Sequence, residues 1–121
     1  MTGFGFLGHL HEMMDGTRSC RIFANRVPVI PQALAYADEF LLTAAAQCNR
    51  NHTGPFVRFE GVSFAMEEAL FDPQTSGGLL VAVSPEDAPG LLEDLKAIDA
   101  PAAVVGEFTQ RQETEITVIN G

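Results

Sequence analysis

The sequence is poor in cysteine, in positive charge and in long apolar runs. Its two cysteines, Cys20 and Cys48, make no disulfide framework, and neither sits in a Cys-x-x-Cys pair or beside a His cluster. That excludes a disulfide-stapled secreted scaffold and predicts reduced, at least partly buried thiols in a cytoplasmic protein. Lys and Arg number 7 against 16 Asp and Glu, for a net charge of −9. A binder of phosphate backbones needs a basic face, so nucleic acid is excluded as a partner. A nucleotide site survives that exclusion, because it needs only a few local donors. No apolar stretch approaches the about 18 residues that span a bilayer, and no signal-peptide pattern is present. No membrane partner is expected.

A self-sufficient catalytic set is missing too. His9 and His11 are two apart, which on a helix turns them about 200° away from each other, so they cannot share a metal. His52 is far off in sequence. Cys20 falls in a predicted strand and Cys48 in a predicted helix, with no His spaced to activate either. Glu67 and Glu68 are adjacent and point different ways on a helix, as on a solvated face. Catalysis does not follow from these residues alone.

What is present is a domain-sized chain of 121 residues, 46% hydrophobic and 19% charged, enough for a packed core. Phe4, Leu7, Leu10 and Met14 fall on one face of a first helix that Gly16 stops. Three glycines among its first eight residues cost about 1 kcal/mol each relative to Ala. They imply close packing on a neighbour or a first turn that approaches a ligand. Residues 19–27 read as a strand, 31–38 as a short helix opened by Pro31, and 40–51 as an Ala-rich helix. Residues 56–60 alternate as a strand, and Ser63 caps a helix over 63–70. After residues 79–83, a predicted buried strand, residues 84–87 open a helix whose stripe is Leu91, Leu92, Leu95 and Ile98. Pro89 argues for a later start to that helix. Residues 102–109 and 113–119 read as two strands joined in a hairpin. The class is α+β: a mixed sheet covered by helices.

The stretch Asp72-Pro73-Gln74-Thr75-Ser76-Gly77-Gly78 is the chemically richest. It holds a carboxylate, an amide, two hydroxyls and a Gly pair that lets a ligand or another backbone come close. Successive N–H groups in such a turn can converge on an anion. A purely structural turn, begun by Asp72-Pro73 and ended by the glycines, is the competing reading. Phosphate loops run strand–loop–helix and this one runs loop–strand, which favours the structural reading from spacing alone.

Two segments together carry a family resemblance. Thr2-Gly3-Phe4-Gly5-Phe6-Leu7-Gly8-His9-Leu10, followed later by Asp72-Pro73-Gln74-Thr75-Ser76-Gly77-Gly78-Leu79-Leu80, closely resembles the C-terminal domain of the selenophosphate synthetase (selenide, water dikinase) family. That family is a branch of the aminoimidazole ribonucleotide synthetase superfamily. The resemblance runs over nearly the whole chain. It implies a three-layer α/β/α domain of partial ferredoxin-like topology. It also implies an enzyme that makes selenophosphate, AMP and phosphate from ATP, selenide and water, uses Mg2+, and works as a homodimer.

In the family the nucleotide site and the reactive Cys or Sec lie mainly in an N-terminal domain. By that resemblance residues 1–121 are a single C-terminal domain whose partner is its own, absent N-terminal ATP-binding domain. A family Asp used in metal binding would precede Met1, so no metal ligand, no catalytic residue and no bound cofactor is expected within the chain. Carried over position by position, Thr2, Gly3, Asp72, Gln74, Thr75, Ser76, Gly77 and Gly78 would face the cleft. Residues 40–47 depart from the family, being Leu/Ala-rich where a Gly-rich loop is usual. A stand-alone interaction module of the same fold, or another enzyme of the superfamily, is the alternative.

Overall fold

The computed structural model describes residues 1–120. The described residues fold into five α-helices and a four-stranded mixed sheet, an α+β arrangement. The first helix, α1 (Gly5–Met14), buries Phe6, Leu7, Leu10 and Met14. Phe4 was expected on that face and is instead 56% exposed. The helix begins after it, so helical phase does not apply there. Gly5 explains part of the glycine load. Its φ is +73°, and a Cβ there would stand 2.8 Å from the carbonyl oxygen of Phe71. The close neighbour is therefore the end of another helix.

Strand β1 (Arg18–Phe23) is shorter than expected, because Ala24–Arg26 turns into a 3-10 helix. Helix α2 (Pro31–Asp38) starts on Pro31 as expected. Helix α3 (Ala44–Thr53) starts four residues later than the Ala-rich pattern suggested. Its start is set by Thr43, whose hydroxyl accepts the Ala46 N–H at 3.1 Å. Strand β2 (Val57–Glu60) precedes helix α4 (Phe64–Phe71), which Ser63 caps as predicted. Helix α5 (Ala88–Ala97) starts late, with Pro89 in its first turn. Strands β3 (Gly106–Gln110) and β4 (Ile116–Ile119) close the chain. No helix among the described residues is long and apolar enough to cross a membrane.

The sheet order is β2-β4-β1-β3. Strand β1 pairs antiparallel with β3 and parallel with β4, and β2 pairs parallel with β4. The expected hairpin between the last two strands does not form, because β1 lies between them. Ser19 is the physical reason. Its hydroxyl donates to the Thr114 carbonyl at 3.0 Å and accepts the Gln112 N–H at 2.7 Å. That holds the connection across the start of β1 and delivers β4 to its far side. There Ile116 and Val118 are fully buried with Cys20 and Ile22, against Leu7, Leu10, Leu70 and Phe71.

The expected buried strand at residues 79–83 is also absent. The run pairs with no strand of the sheet among the described residues and lies outside it, with Leu79 88% exposed. Only Leu80 packs against the core.

Candidate functional site

The two segments singled out by sequence meet in space. The carbonyl of Thr2 accepts the N–H of Gly5 at 3.1 Å and the N–H of Gln74 at 3.0 Å. One step back along the chain, the backbone nitrogen of Met1 donates to the carbonyl of Gly78 at 2.7 Å. Gly77 makes this approach possible. A Cβ there would stand 2.6 Å from the Met1 carbonyl oxygen and 2.7 Å from the Cβ of Gln74. Gly78 has no such constraint, its nearest neighbour being Met1 Cε at 4.0 Å. Neither glycine has a positive φ, so close approach is what Gly77 supplies and unusual backbone angles are not.

Three further side chains tie the junction down: Asn49, Thr43 and His9. The amide of Asn49, on α3, donates to the carbonyl of Gly3 at 2.9 Å and to that of Phe71 at 2.8 Å. One side chain thus clamps both segments. His9 sits one helical turn and more from Thr2, yet its Nε2 accepts the Thr2 N–H at 3.0 Å and lies 3.0 Å from the Thr2 hydroxyl. Accepting from a backbone N–H requires an unprotonated Nε2, which leaves the hydrogen on Nδ1. Nδ1 points at Glu12 Oε2, 3.1 Å away. His9 is therefore an orienting group for Thr2, a role that a search for metal pairs could not find. Thr43 donates from its hydroxyl to Asp72 Oδ1 at 3.1 Å. A hydroxyl directly before an Ala-rich stretch is a helix-cap signal, and it would have drawn attention to this residue.

Among the predicted residues, Asp72 is committed to Thr43, and its own carbonyl accepts the Gln74 side-chain amide at 3.2 Å. Thr75 and Ser76 form the exposed tip of the turn, and their hydroxyls make no hydrogen bond among the described residues. Thr2 and Gly3 are exposed at the start of the chain. The structure therefore brings Thr2, Gly3, Gln74, Gly77 and Gly78 into one junction, with Asp72 braced behind it and the two free hydroxyls in front.

On the far side of Thr43 from Asp72 lies an open groove of about 490 Å³ lined by Thr43, Gln47, Arg50, Phe64 and Glu68 with Leu42 and Ala44. None of the predicted cleft residues lines it. Its polar groups are already paired. The buried carboxylate of Glu68 accepts from Gln47 Nε2 and from Arg50 Nε, each at 2.9 Å. Arg50 also meets Glu67 at 3.1 Å and lies 4.8 Å over the ring of Phe71. This network fixes α3 on α4 and so positions Asn49.

Cys20 is not a nucleophile here. Burial, and secondarily the nearby Glu107 carboxylate, push its thiol up from 9.0 to about 12, so it stays protonated at neutral pH. No group of three or more His, Cys, Asp or Glu among the described residues could hold a metal ion.

A match over nearly the whole chain assigns the family. Residues 1–119 match the family described as AIR synthase related protein, C-terminal domain, and the chain belongs to it. Its similarity to particular members is high. The chain is 54% identical over 119 residues to the selenide, water dikinase of Agathobacter rectalis, covering 98% of this chain and 35% of that protein. It is 49% identical over 121 residues to that of Pelobacter propionicus, with the same 98% and 35% coverage. It is 40% identical over 116 residues to that of Desulfitobacterium hafniense, covering 96% of this chain and 34% of the relative. The chain thus spans about a third of the length of these relatives and corresponds to their C-terminal part. The resemblance read from the two motifs is borne out.

Proposed function

We propose that this chain is the C-terminal domain of an ATP-dependent selenophosphate synthetase. The whole enzyme is a cytoplasmic, homodimeric phosphotransferase that converts ATP, selenide and water to selenophosphate, AMP and phosphate. Residues 1–121 act in it as one domain and form one wall of a cleft, facing an N-terminal ATP-binding domain. The observation that carries this reading is the junction itself. Two segments far apart in sequence are held together by Gln74, Met1 and Asn49 through backbone carbonyls, leaving Thr75 and Ser76 free in front. That is the arrangement expected of a surface kept rigid so that its tip can meet a ligand.

In this reading the tip supplies neutral donors. The hydroxyls of Thr75 and Ser76 and the adjoining N–H groups are placed to receive negative charge on a phosphoryl group. The residues present do not fit a Mg2+ site of their own. Asp72 is held by Thr43, and no cluster of three acidic, His or Cys ligands surrounds it among the described residues. The metal's carboxylates belong, in this proposal, to the preceding domain, and no role toward the metal is assigned to the present residues.

The test is a chain carrying the preceding part of the Agathobacter rectalis relative fused before Met1. It should form AMP from ATP only when selenide is supplied. Replacing Thr75 and Ser76 together by Ala leaves the fold intact, because both are exposed and unpaired. The double variant should lower turnover by about 100-fold or more, the usual range for losing a charge-stabilising donor. Unchanged turnover would remove the tip from the active site.

A further inference from the structure

Residues 79–83 have no partner in a chain where most of the backbone has one. Leu79 and Val81 are 88% and 56% exposed, and Val83 is exposed as well. No backbone group between residues 79 and 83 takes part in a hydrogen bond among the described residues. The run is uncharged and rich in branched side chains, the composition of a strand. Left open, it is an apolar edge of the kind that proteins cover.

The direction of the missing neighbour can be read from the junction. The Thr2 carbonyl takes the Gln74 N–H, and the Met1 nitrogen reaches the Gly78 carbonyl. One residue back, from Thr2 to Met1, the partner has moved forward past the Thr75-Ser76 turn from Gln74 to Gly78, so the two segments run in opposite directions. Carried past Met1, the same direction lays the preceding polypeptide along residues 79–83. The relatives have such polypeptide, since this chain corresponds to the last 35% or so of their length.

We propose that residues 79–83 are the docking edge for the segment that precedes the Met1 position in the longer relatives, which adds to it as an antiparallel β-strand. Met1 and Gly78 are the first rung of that ladder. The residue two before Met1 then faces Leu80, and the residue four before it faces Ala82. Pairing gives the unpartnered backbone groups of residues 79–83 their hydrogen bonds and turns the loop–strand order of the glycine turn into a true strand. The inference rests on the chain being the C-terminal part of a longer protein and not on the reaction proposed above.

Amide hydrogen exchange tests it. In the 121-residue chain, residues 79–83 should exchange at nearly unprotected rates. Fused to the preceding part of the Agathobacter rectalis relative, the same residues should slow by about 100-fold or more. The aligned stretch of that relative, measured intact, should be protected to the same degree, which keeps the test decisive if the fusion folds poorly. Ala82→Pro deletes a rung of the proposed ladder, because Ala82 shares the orientation of Gly78. It should abolish the protection in the fusion and leave the rest of the chain unchanged. Fast exchange in both the fusion and the intact relative overturns the proposal. So does protection in the 121-residue chain that grows with concentration, which would assign the edge to a second copy. Selenide-dependent turnover, measured alongside, fails separately: protection without turnover sinks the catalytic reading alone.

Discussion

The Nδ1 of His11 lies 2.7 Å from Oε1 of Glu115, a carboxylate that is 3% exposed. The pair joins α1 to the residue just before β4, and the ring of Phe56 stacks on His11 at 4.3 Å. A buried carboxylate stripped of its partner is costly. His11→Ala should therefore destabilise the domain by about 2 kcal/mol, the lower part of the range because His11 is half-buried. Glu115→Gln removes the charge and keeps an acceptor, so it should cost less than His11→Ala. Urea denaturation of the two variants checks the order; the reverse order would mean that the pair is not what holds α1 to the sheet.

The glycine pair separates into one constrained and one free position. Gly77→Ala puts a methyl 2.6 Å from the Met1 carbonyl oxygen, so the backbone must shift. The expected cost is about 1–3 kcal/mol, as for overpacking. Gly78→Ala meets nothing closer than 4.0 Å and should change stability by less than about 0.5 kcal/mol. Thermal unfolding of the two variants distinguishes them. Equal effects would mean that Gly77 is not the residue that brings the two segments together.

Asn49 is the sharper probe of the junction. Asn49→Ala leaves the Gly3 and Phe71 carbonyls without the donor they share, for an expected loss of about 1–3 kcal/mol. Asn49→Asp keeps the size but replaces two donors by acceptors facing two carbonyl oxygens. It should be at least as damaging as Ala. In the fused enzyme, selenide-dependent turnover should fall with both variants. An Asp variant as stable as the original protein would show that the clamp carries no weight.

Most of the fold was legible because most elements carry their own signals. Pro31 opened α2, Ser63 capped α4, and the leucine stripe marked α5 as a helix, although none of that stripe is buried and Ile98 lies past the helix end, 73% exposed. One error was a local cap left unread, and the others came where a distant residue decided. Thr43 set the start of α3 against the Ala-rich propensity of the preceding residues. The Ser19 hydroxyl carried the last connection across β1 and cancelled the expected hairpin. Residues 79–83 have strand composition and no strand partner, which composition cannot reveal. The site was legible as two motifs and no further. Their meeting through Thr2 and Gln74 fits the spacing of neither, and Asn49 and His9 matter only once α3 and α1 are docked.

Cys20 gives the domain a predictable response to alkali. Its thiol is raised from 9.0 to about 12 in the folded state, first by burial and then by Glu107. A raised value means that the folded protein holds the proton more tightly than the unfolded chain. The stability from keeping Cys20 neutral is fully present below about pH 9 and is lost as pH rises through about 12. Inside that window the slope is at most about 1.4 kcal/mol per pH unit. Other groups titrate in the same range, so the informative quantity is the difference between the original protein and Cys20→Ala. That difference should shrink steadily between pH 9 and pH 11 in urea unfolding. Thiol labelling should run in parallel, with exposed Cys48 modified in the folded protein and buried Cys20 only on unfolding. A pH-independent difference, or labelling of both thiols at the same rate, would mean that Cys20 opens to solvent far more readily than its buried place on β1 allows.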